Sequence, residues 1–407
     1  MTMKSTTTTM KRTRTTIINQ ANSYCSQKFW WLTVDIEKMQ SLSCCAATPS
    51  KINLEFLKTN PGDLFNTPEL IDERKQMLLG TQVKSCQSTC WIPESNNISS
   101  RRLEMGSNQL THTNIQSQPE VIHLVLSSNC NMTCVYCCKQ YSTAWKQDII
   151  NNGTYSVSDD NRYTVNDRDK ILLKLSQQDI VNSKSVNILT SEINLLVTKS
   201  PNIRVTITGG EPFLYHDLDH ILDNIPDSVP ISLWTGLGVN KTRFNKILNQ
   251  LKNQSNLEIV ISAENIKELY EFNRYGNTWE QFNTNLNTLK DSGLTYRFNA
   301  TISNLTLFGL VDFYKYVNND PVSFQSCTDP DFLSINVLDD DSKKIILDTV
   351  DQLPIDLQNL ITNSIGVKVT DQQYTNFSNF VREFSNRRKL KLDMFPQSLI
   401  NWINCAR

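Results

Sequence analysis

The chain has 407 residues, long enough for two or three domains, and a net charge of −1 from 40 basic and 41 acidic side chains. That balance creates no global field to attract nucleic acid or an anionic membrane, and no apolar run approaches the roughly 20 residues needed to span a bilayer. Eleven cysteines in no regular framework, with doublets at Cys44-Cys45 and Cys137-Cys138, read as a reducing, cytoplasmic setting rather than a secreted disulfide scaffold.

Residues 1–24 are Thr-rich and basic, with Lys4, Lys11, Arg12 and Arg14 and no acid before Asp35. Lacking the apolar segment of a secretory signal, they read as a disordered tail, with an organellar transit peptide as the alternative. Residues 25–110 are Cys-rich. Phe29–Ile36 reads as a strand, the Cys44-Cys45 doublet follows, and Leu64–Gly80 has helical apolar spacing ending in glycine. Cys86 and Cys90 close this stretch. Four thiolates from paired loops are also what a structural zinc takes.

Between residues 118 and 340, strands and helices alternate. The expected strands are Val121–Leu126, Ile203–Thr208, Ile231–Thr235, Leu257–Ser262, Tyr296–Ile302 and Phe332–Val337. Helical spacing falls at Asp217–Ile225, Lys241–Leu251, Thr278–Leu289 and Leu305–Val317. Such alternation implies an α/β fold with a parallel sheet and helices packed outside it. Asp148–Asn166 reads as a polar, exposed excursion and Leu172–Lys199 as a packing helix. Residues 341–407 carry helical stretches at Ser342–Gln352, Leu357–Ser364 and Gln372–Arg388 and name no substrate.

The chemistry concentrates at Cys130, Cys134 and Cys137, spaced Cys-x-x-x-Cys-x-x-Cys directly after the first strand of that alternation. Four thiolates normally saturate a cubane iron–sulfur cluster, so three on one loop leave one iron open to a ligand that is not protein. A zinc knot or buried structural thiols is the alternative for three cysteines alone. A second motif, Gly209-Gly210-Glu211-Pro212, ends a β-branched strand. Its glycines let the backbone approach a ligand, Glu211 offers a carboxylate, and Pro212 stiffens the exit. A third, Leu257–Glu264, is a strand ending in Ser262 and Glu264, followed by Arg274, whose planar fork suits a carboxylate.

Together these motifs resemble the signature of radical S-adenosylmethionine (SAM) enzymes. The resemblance implies a partial (β/α)6 TIM-like barrel with its site at the carboxyl ends of the strands, where Cys130, Gly209, Trp234, Ser262 and Thr301 fall. It implies a [4Fe-4S] cluster on Cys130, Cys134 and Cys137 whose open iron is chelated by SAM. An electron passed through the cluster would split the sulfonium, and the resulting 5′-deoxyadenosyl radical would abstract hydrogen from a substrate. Tyr136 would lie near the adenine, Gly209, Gly210 and Glu211 would hold the SAM amino group, Ser262 and Glu264 would face the ribose, and Arg274 would meet the carboxylate. The family more often has Asp where Glu264 stands.

The amino-terminal order of cysteine, hairpin, cysteine doublet, Asn66…Leu70…Arg74 helix and paired cysteines is similar to the auxiliary-cluster region of SPASM and Twitch radical SAM proteins, here placed before the barrel. That similarity implies a small Cys-rich domain holding a second [4Fe-4S] cluster on Cys25, Cys44, Cys86 and Cys90, with Cys45 as the alternative to Cys44 and zinc as the alternative metal. Two departures stand out: Met39 and Gln40 replace the hairpin glycine, and the last pair is spaced by three residues. Ser142 and Trp145 match a Ser-x-x-Trp pattern of phage-type Twitch proteins, though a helix cap and a core tryptophan would explain them as well. Asn299, Thr301 and Ser303 give the fifth strand one polar face. The implied partners are a reductant such as flavodoxin or ferredoxin and a substrate, either a peptide or a small molecule such as a nucleotide or sugar. A zinc-organised interaction module without catalysis is the non-enzyme alternative.

Overall fold

The computed structural model describes residues 23–96, 100–158, 161–164, 183–200, 202–252 and 254–405. The expected tail over 1–24 therefore lies almost wholly outside the described residues, as does the 172–182 part of the expected packing helix. The strands are β1 (Trp31–Asp35), β2 (Gln40–Leu42), β3 (Ser50–Lys51), β4 (Val121–Val125), β5 (Thr133–Cys134), β6 (Arg204–Thr208), β7 (Ile231–Thr235), β8 (Leu257–Ser262), β9 (Arg274–Tyr275), β10 (Thr295–Ile302) and β11 (Val322–Ser326). The fold is mixed α/β, with a large, mostly parallel sheet in the order β11-β10-β8-β7-β6-β4-β1-β2-β3 and a small β5-β9 ladder.

Five of the six strands read from the alternation are present within a residue or so of their expected limits. The sixth is a correction. Phe332–Val337 is not a strand: Asp331–Leu333 is a 3-10 turn, and the last strand is β11, paired in parallel with β10. The adjacent Phe332 and Leu333 are both buried, along with Ile335 and Val337, which a one-sided strand cannot achieve. The true strand, Val322-Ser-Phe-Gln-Ser326, carries only two apolar residues and gives a weak signal.

Two compact units divide the chain. The first comprises Met1–Leu126, Val181–Ile207 and Asp217–Ser232. In it β1 pairs in parallel with β4, from Trp31 opposite Val121 to Asp35 opposite Val125, so the Cys-rich segment contributes a strand to the sheet. β1 and β2 form an antiparallel hairpin that turns at Met39, whose φ is +50°. The helix Pro68–Leu78 starts at the Thr67 cap, with proline in its first turn. Arg74 on that helix is fully buried and donates to the carbonyls of Phe65 and Ile115 and to Asn66 Oδ1. The helix Ser183–Lys199 buries Leu189, Ile193 and Leu196, one stripe at helical spacing.

The second unit comprises Ser127–Ile180, Thr208–His216 and Leu233–Arg407. Here β10 pairs in parallel with both β8 and β11. The helix Trp279–Ser292 is capped by Thr278, stopped by Gly293 at φ +76°, and buries Phe282, Leu286 and Leu289. The excursion expected to be exposed is instead anchored: Tyr155 and Tyr163 are buried against Trp145 and Phe380. Four helices follow at Asp340–Leu347, Ile355–Ile365, Asp371–Arg388 and Gln397–Cys405, the last of which the sequence reading missed. Among the described residues no helix is long and apolar enough to cross a membrane.

Candidate active site

Within the second unit, the loop carrying Cys130, Cys134 and Cys137 is fixed mainly through its backbone. β5, inside the loop, pairs antiparallel with β9 and sets Thr133 opposite Tyr275 and Cys134 opposite Arg274. The amides of Gly210 and Glu211 donate to the carbonyls of Ser127 and Asn129 at 2.7 and 2.8 Å. A Cβ on Gly210 would stand 2.5 Å from the Asn129 carbonyl oxygen and 2.8 Å from Cys130 Cβ. Gly276, at φ +106°, packs equally closely on the Asn131 carbonyl. Both glycines are therefore required by close approach, and one of them by its backbone angle as well.

Side chains complete the clamp. Asn131 Nδ2 donates to the Gly238 carbonyl at 2.6 Å and Ser142 Oγ to the Met132 carbonyl at 2.7 Å. Trp145 Nε1 donates to the Cys134 carbonyl at 2.9 Å. Ser142 and Trp145 are thus a helix cap and a core tryptophan, and both also hold the cysteine loop. Arg388, near the end of the long Asp371–Arg388 helix, reaches Thr133 Oγ1 with Nε at 3.1 Å and Tyr155 with Nη1 at 2.9 Å. Arg388 was not legible in the sequence, because nothing local distinguishes it from the neighbouring Arg387.

A cavity of about 300 Å³ opens beside this loop. Cys130, Cys134, Cys137, Gly209, Gly210 and Ser262 line it, so residues from three separated motifs share one space. Tyr136, Arg274, Trp234 and Arg162 complete its wall. Arg162, which pairs with Asp329, comes from the excursion and carried no sequence signal. Burial pushes the thiols up, Cys130 to about 12, Cys134 to about 11 and Cys137 well above the ordinary range. Ligation as thiolates therefore has to release protons. On the neighbouring strand, Asn299 bonds Ser323 Oγ at 3.0 Å, while Ser303 is buried in a turn with Thr306.

The acids behave differently from the thiols. Glu211 is buried and does not line the cavity. Its carboxylate accepts from Thr235 Oγ1 at 2.7 Å, from the Gly236 amide at 3.0 Å and from the Phe213 amide at 3.1 Å. Burial raises its pKa, and these donors oppose the rise. Glu264 is fully buried and engages Arg274 through two bonds, Nε to Oε1 at 3.1 Å and Nη2 to Oε2 at 2.7 Å. Tyr136 donates to the same Oε1 at 2.9 Å. The remaining arm of the guanidinium, Nη1, is directed to Cys134 Sγ at 4.0 Å. Glu264 and Arg274, read from the sequence as separate ligand contacts, are brought together as a pair.

The amino-terminal cysteines belong to the first unit. Cys25, Cys86 and Cys90 are buried in one cluster with Met77, Val83 and Trp91. Cys86 and Cys90 share a hydrogen bond that lowers Cys90 to about 6 and raises Cys86. Burial raises Cys25 to about 11, and a hydrogen bond with Cys45 together with burial raises Cys44. Cys44 is buried and Cys45 exposed. Buried Lys28 bonds Glu73 at 2.5 Å and Ser85 at 2.7 Å at the edge of this region.

Among the described residues no three Cys, His, Asp or Glu side chains form a group that could hold a single metal ion as they stand. A cubane makes a different demand, because each thiolate binds a different iron and the sulfurs need not converge. Three thiols on one loop around a cavity fit that demand. Glycines on the adjoining wall leave room for a ligand on the fourth corner.

A scan against protein-family models and a search of curated proteins each return no match. Solved structures are matched loosely. Tagged anSMEcpe with bound AdoMet is 17% identical, with a TM-score of 0.38 over 60% of each chain. Streptococcus suis SuiB is 13% identical, with a TM-score of 0.36 over 75% of this chain and 70% of its own. TYW1 with a lysine-pyruvate adduct bound is 14% identical, with a TM-score of 0.32 over 57% of this chain and 73% of its own. The chain thus spans about three fifths of the length of the anSMEcpe structures it matches.

Proposed function

We propose that the chain is a radical SAM enzyme, acting by hydrogen abstraction on a peptide or protein substrate. One observation carries this reading: the Cys130, Cys134 and Cys137 thiols, the Gly209-Gly210 turn and Ser262 line a single cavity although they lie far apart in sequence. A zinc knot needs neither the glycine turn nor Ser262. Cys130, Cys134 and Cys137 would hold a [4Fe-4S] cluster, which when bound would supply the electron that splits the SAM sulfonium.

The protein's own residues would then orient and enclose. The backbone of Gly209 and Gly210 offers polar groups to the SAM amino end, while Ser262 presents a hydroxyl to the ribose. Tyr136 closes the adenine side. Glu211 acts from behind the wall, fixing Thr235 and the Gly236 amide. In the first unit, Cys25, Cys44, Cys86 and Cys90 would hold an auxiliary [4Fe-4S] cluster. The burial of Cys44 and the exposure of Cys45 support Cys44 as the ligand. A low-potential donor such as flavodoxin or ferredoxin would supply electrons.

Anaerobic reconstitution tests this directly. About eight irons per chain and formation of 5′-deoxyadenosine from SAM under reduction are expected. Stoichiometric zinc without iron would instead favour the non-catalytic module.

A further inference from the structure

Arg274 occupies an unusual position for a residue read from sequence as a ligand clamp. The β5–β9 ladder sets it directly across from Cys134. Two of its three nitrogens are committed to Glu264, and that bidentate grip fixes the plane of the guanidinium. The free arm, Nη1, is the one directed to Cys134 Sγ at 4.0 Å. Tyr136 secures the arrangement twice, by donating to Glu264 and by laying its ring 5.5 Å from the guanidinium carbon. Glu264 and Arg274 are 0% and 4% exposed, so water screens little of this charge.

We infer that Arg274, held in place by Glu264 and Tyr136, donates a hydrogen bond to the Cys134 sulfur and thereby makes a cluster bound there easier to reduce. The inference rests on the radical SAM reading and assigns Arg274 a role within it. Reduction places extra negative charge on the iron–sulfur core and its thiolates. A cationic donor at one sulfur stabilises that reduced form more than the oxidised one, and hydrogen bonds to sulfur are a recognised control of cluster potential. The role suits arginine, because its rigid fork can hold a carboxylate with one edge and still present a donor elsewhere. Arg274 is in this sense a positioning and tuning residue.

The test is the midpoint potential of the full-length, reconstituted protein, measured by an anaerobic titration followed by electron paramagnetic resonance. The signal to follow is the one that added SAM perturbs, and iron and sulfide are counted in every sample. Arg274→Gln should retain the iron and shift the midpoint to a more negative potential, with Arg274→Lys falling between it and the wild type. Equal midpoints at equal iron content would overturn the inference. So would loss of iron from both variants, which would make the pair purely structural. A wild-type protein that takes up no iron would overturn the underlying reading as well, and that result is seen before any variant is compared.

Discussion

Cys130, Cys134 and Cys137 sit on one short loop whose backbone is gripped by a strand ladder, two close glycines and several side-chain donors. Cys25, Cys44, Cys86 and Cys90 come from separate stretches of the first unit, and three of them are gathered by packing against Met77, Val83 and Trp91. The first arrangement stores its geometry in the main chain, so small backbone changes should be costly while packing changes are tolerated. The second stores it in side-chain contacts and in the hairpin and helix that deliver them.

The largest effect should come from Gly210→Ala. The new methyl must displace the Asn129 carbonyl or Cys130 itself, neither of which is the far end of a flexible side chain. Overpacking of this kind costs about 1–3 kcal/mol. A shift of the loop by a fraction of an ångström to 1 Å should lower SAM cleavage by on the order of 100-fold. Gly366→Ala, with open space around the new methyl, is the control. Wild-type cleavage in Gly210→Ala would show that the loop is not gripped where the structure grips it.

Replacing Cys25, Cys86 and Cys90 together by alanine should empty the side-chain-built site and spare the backbone-built one. About half the iron should be lost, with the SAM-perturbed signal of the first cluster retained. Unchanged iron content would end the auxiliary-site assignment, and loss of all iron would show that the two sites do not load independently.

Acidification should separate the two units by sign. Burial lowers His123 on β4 to about 4, so between pH 6.5 and 4 the unfolded chain binds the extra proton and stability falls as pH falls. At pH 5 the loss should be on the order of 1–2 kcal/mol. Glu211 in the second unit has the opposite sense. Its raised pKa makes it a stabilising group when protonated, a contribution lost as pH rises through that value. Hydrogen exchange at pH 7 and pH 5, corrected for intrinsic rates, should show β4 amides losing protection relative to those near Glu211. Uniform changes in both places would refute the assignment, and His123→Phe should abolish the β4 effect.

The strands that carry the site were legible because each combines β-branched or apolar residues with a clear polar or glycine terminus, as in Ile203–Pro212. β11 was missed because its polar residues leave too little apolar alternation, and Phe332–Val337 mimicked a strand because a compact turn buries its side chains on every side. The cysteine loop could be read from spacing alone. Its supports could not, since Asn131 acts through the Gly238 carbonyl and Arg388 through the Thr133 and Tyr155 hydroxyls, long-range partners that no sequence pattern marks. The Glu264–Arg274 pair was visible as two polar residues near a strand end, but nothing in the sequence marks their mutual engagement, and the placement of Arg274 opposite Cys134 depends on β5–β9 register, a contact between segments far apart in the chain.

The smallest effect concerns the β1–β2 hairpin, where a glycine was expected and Met39 stands. The backbone keeps the conformation that glycine would favour: Met39 has φ +50°, its amide donates to the Ile36 carbonyl, and its carbonyl accepts from Ile52. Asp35 Oδ1 accepts from the Lys38 amide at 2.9 Å and tightens the same turn. A left-handed non-glycine residue costs roughly 1–2 kcal/mol, and glycine returns roughly 0.5–1 kcal/mol of that as lost chain entropy. Met39→Gly should therefore stabilise the protein by only about 0.5 kcal/mol, read as a small rise in the urea midpoint at constant slope. Iron content should not change, because the pairing of Thr33, Val34 and Asp35 with Leu42, Ser41 and Gln40 already fixes the register that leads to Cys44. A destabilised variant would mean that the Met39 side chain, not its backbone angle, holds the turn.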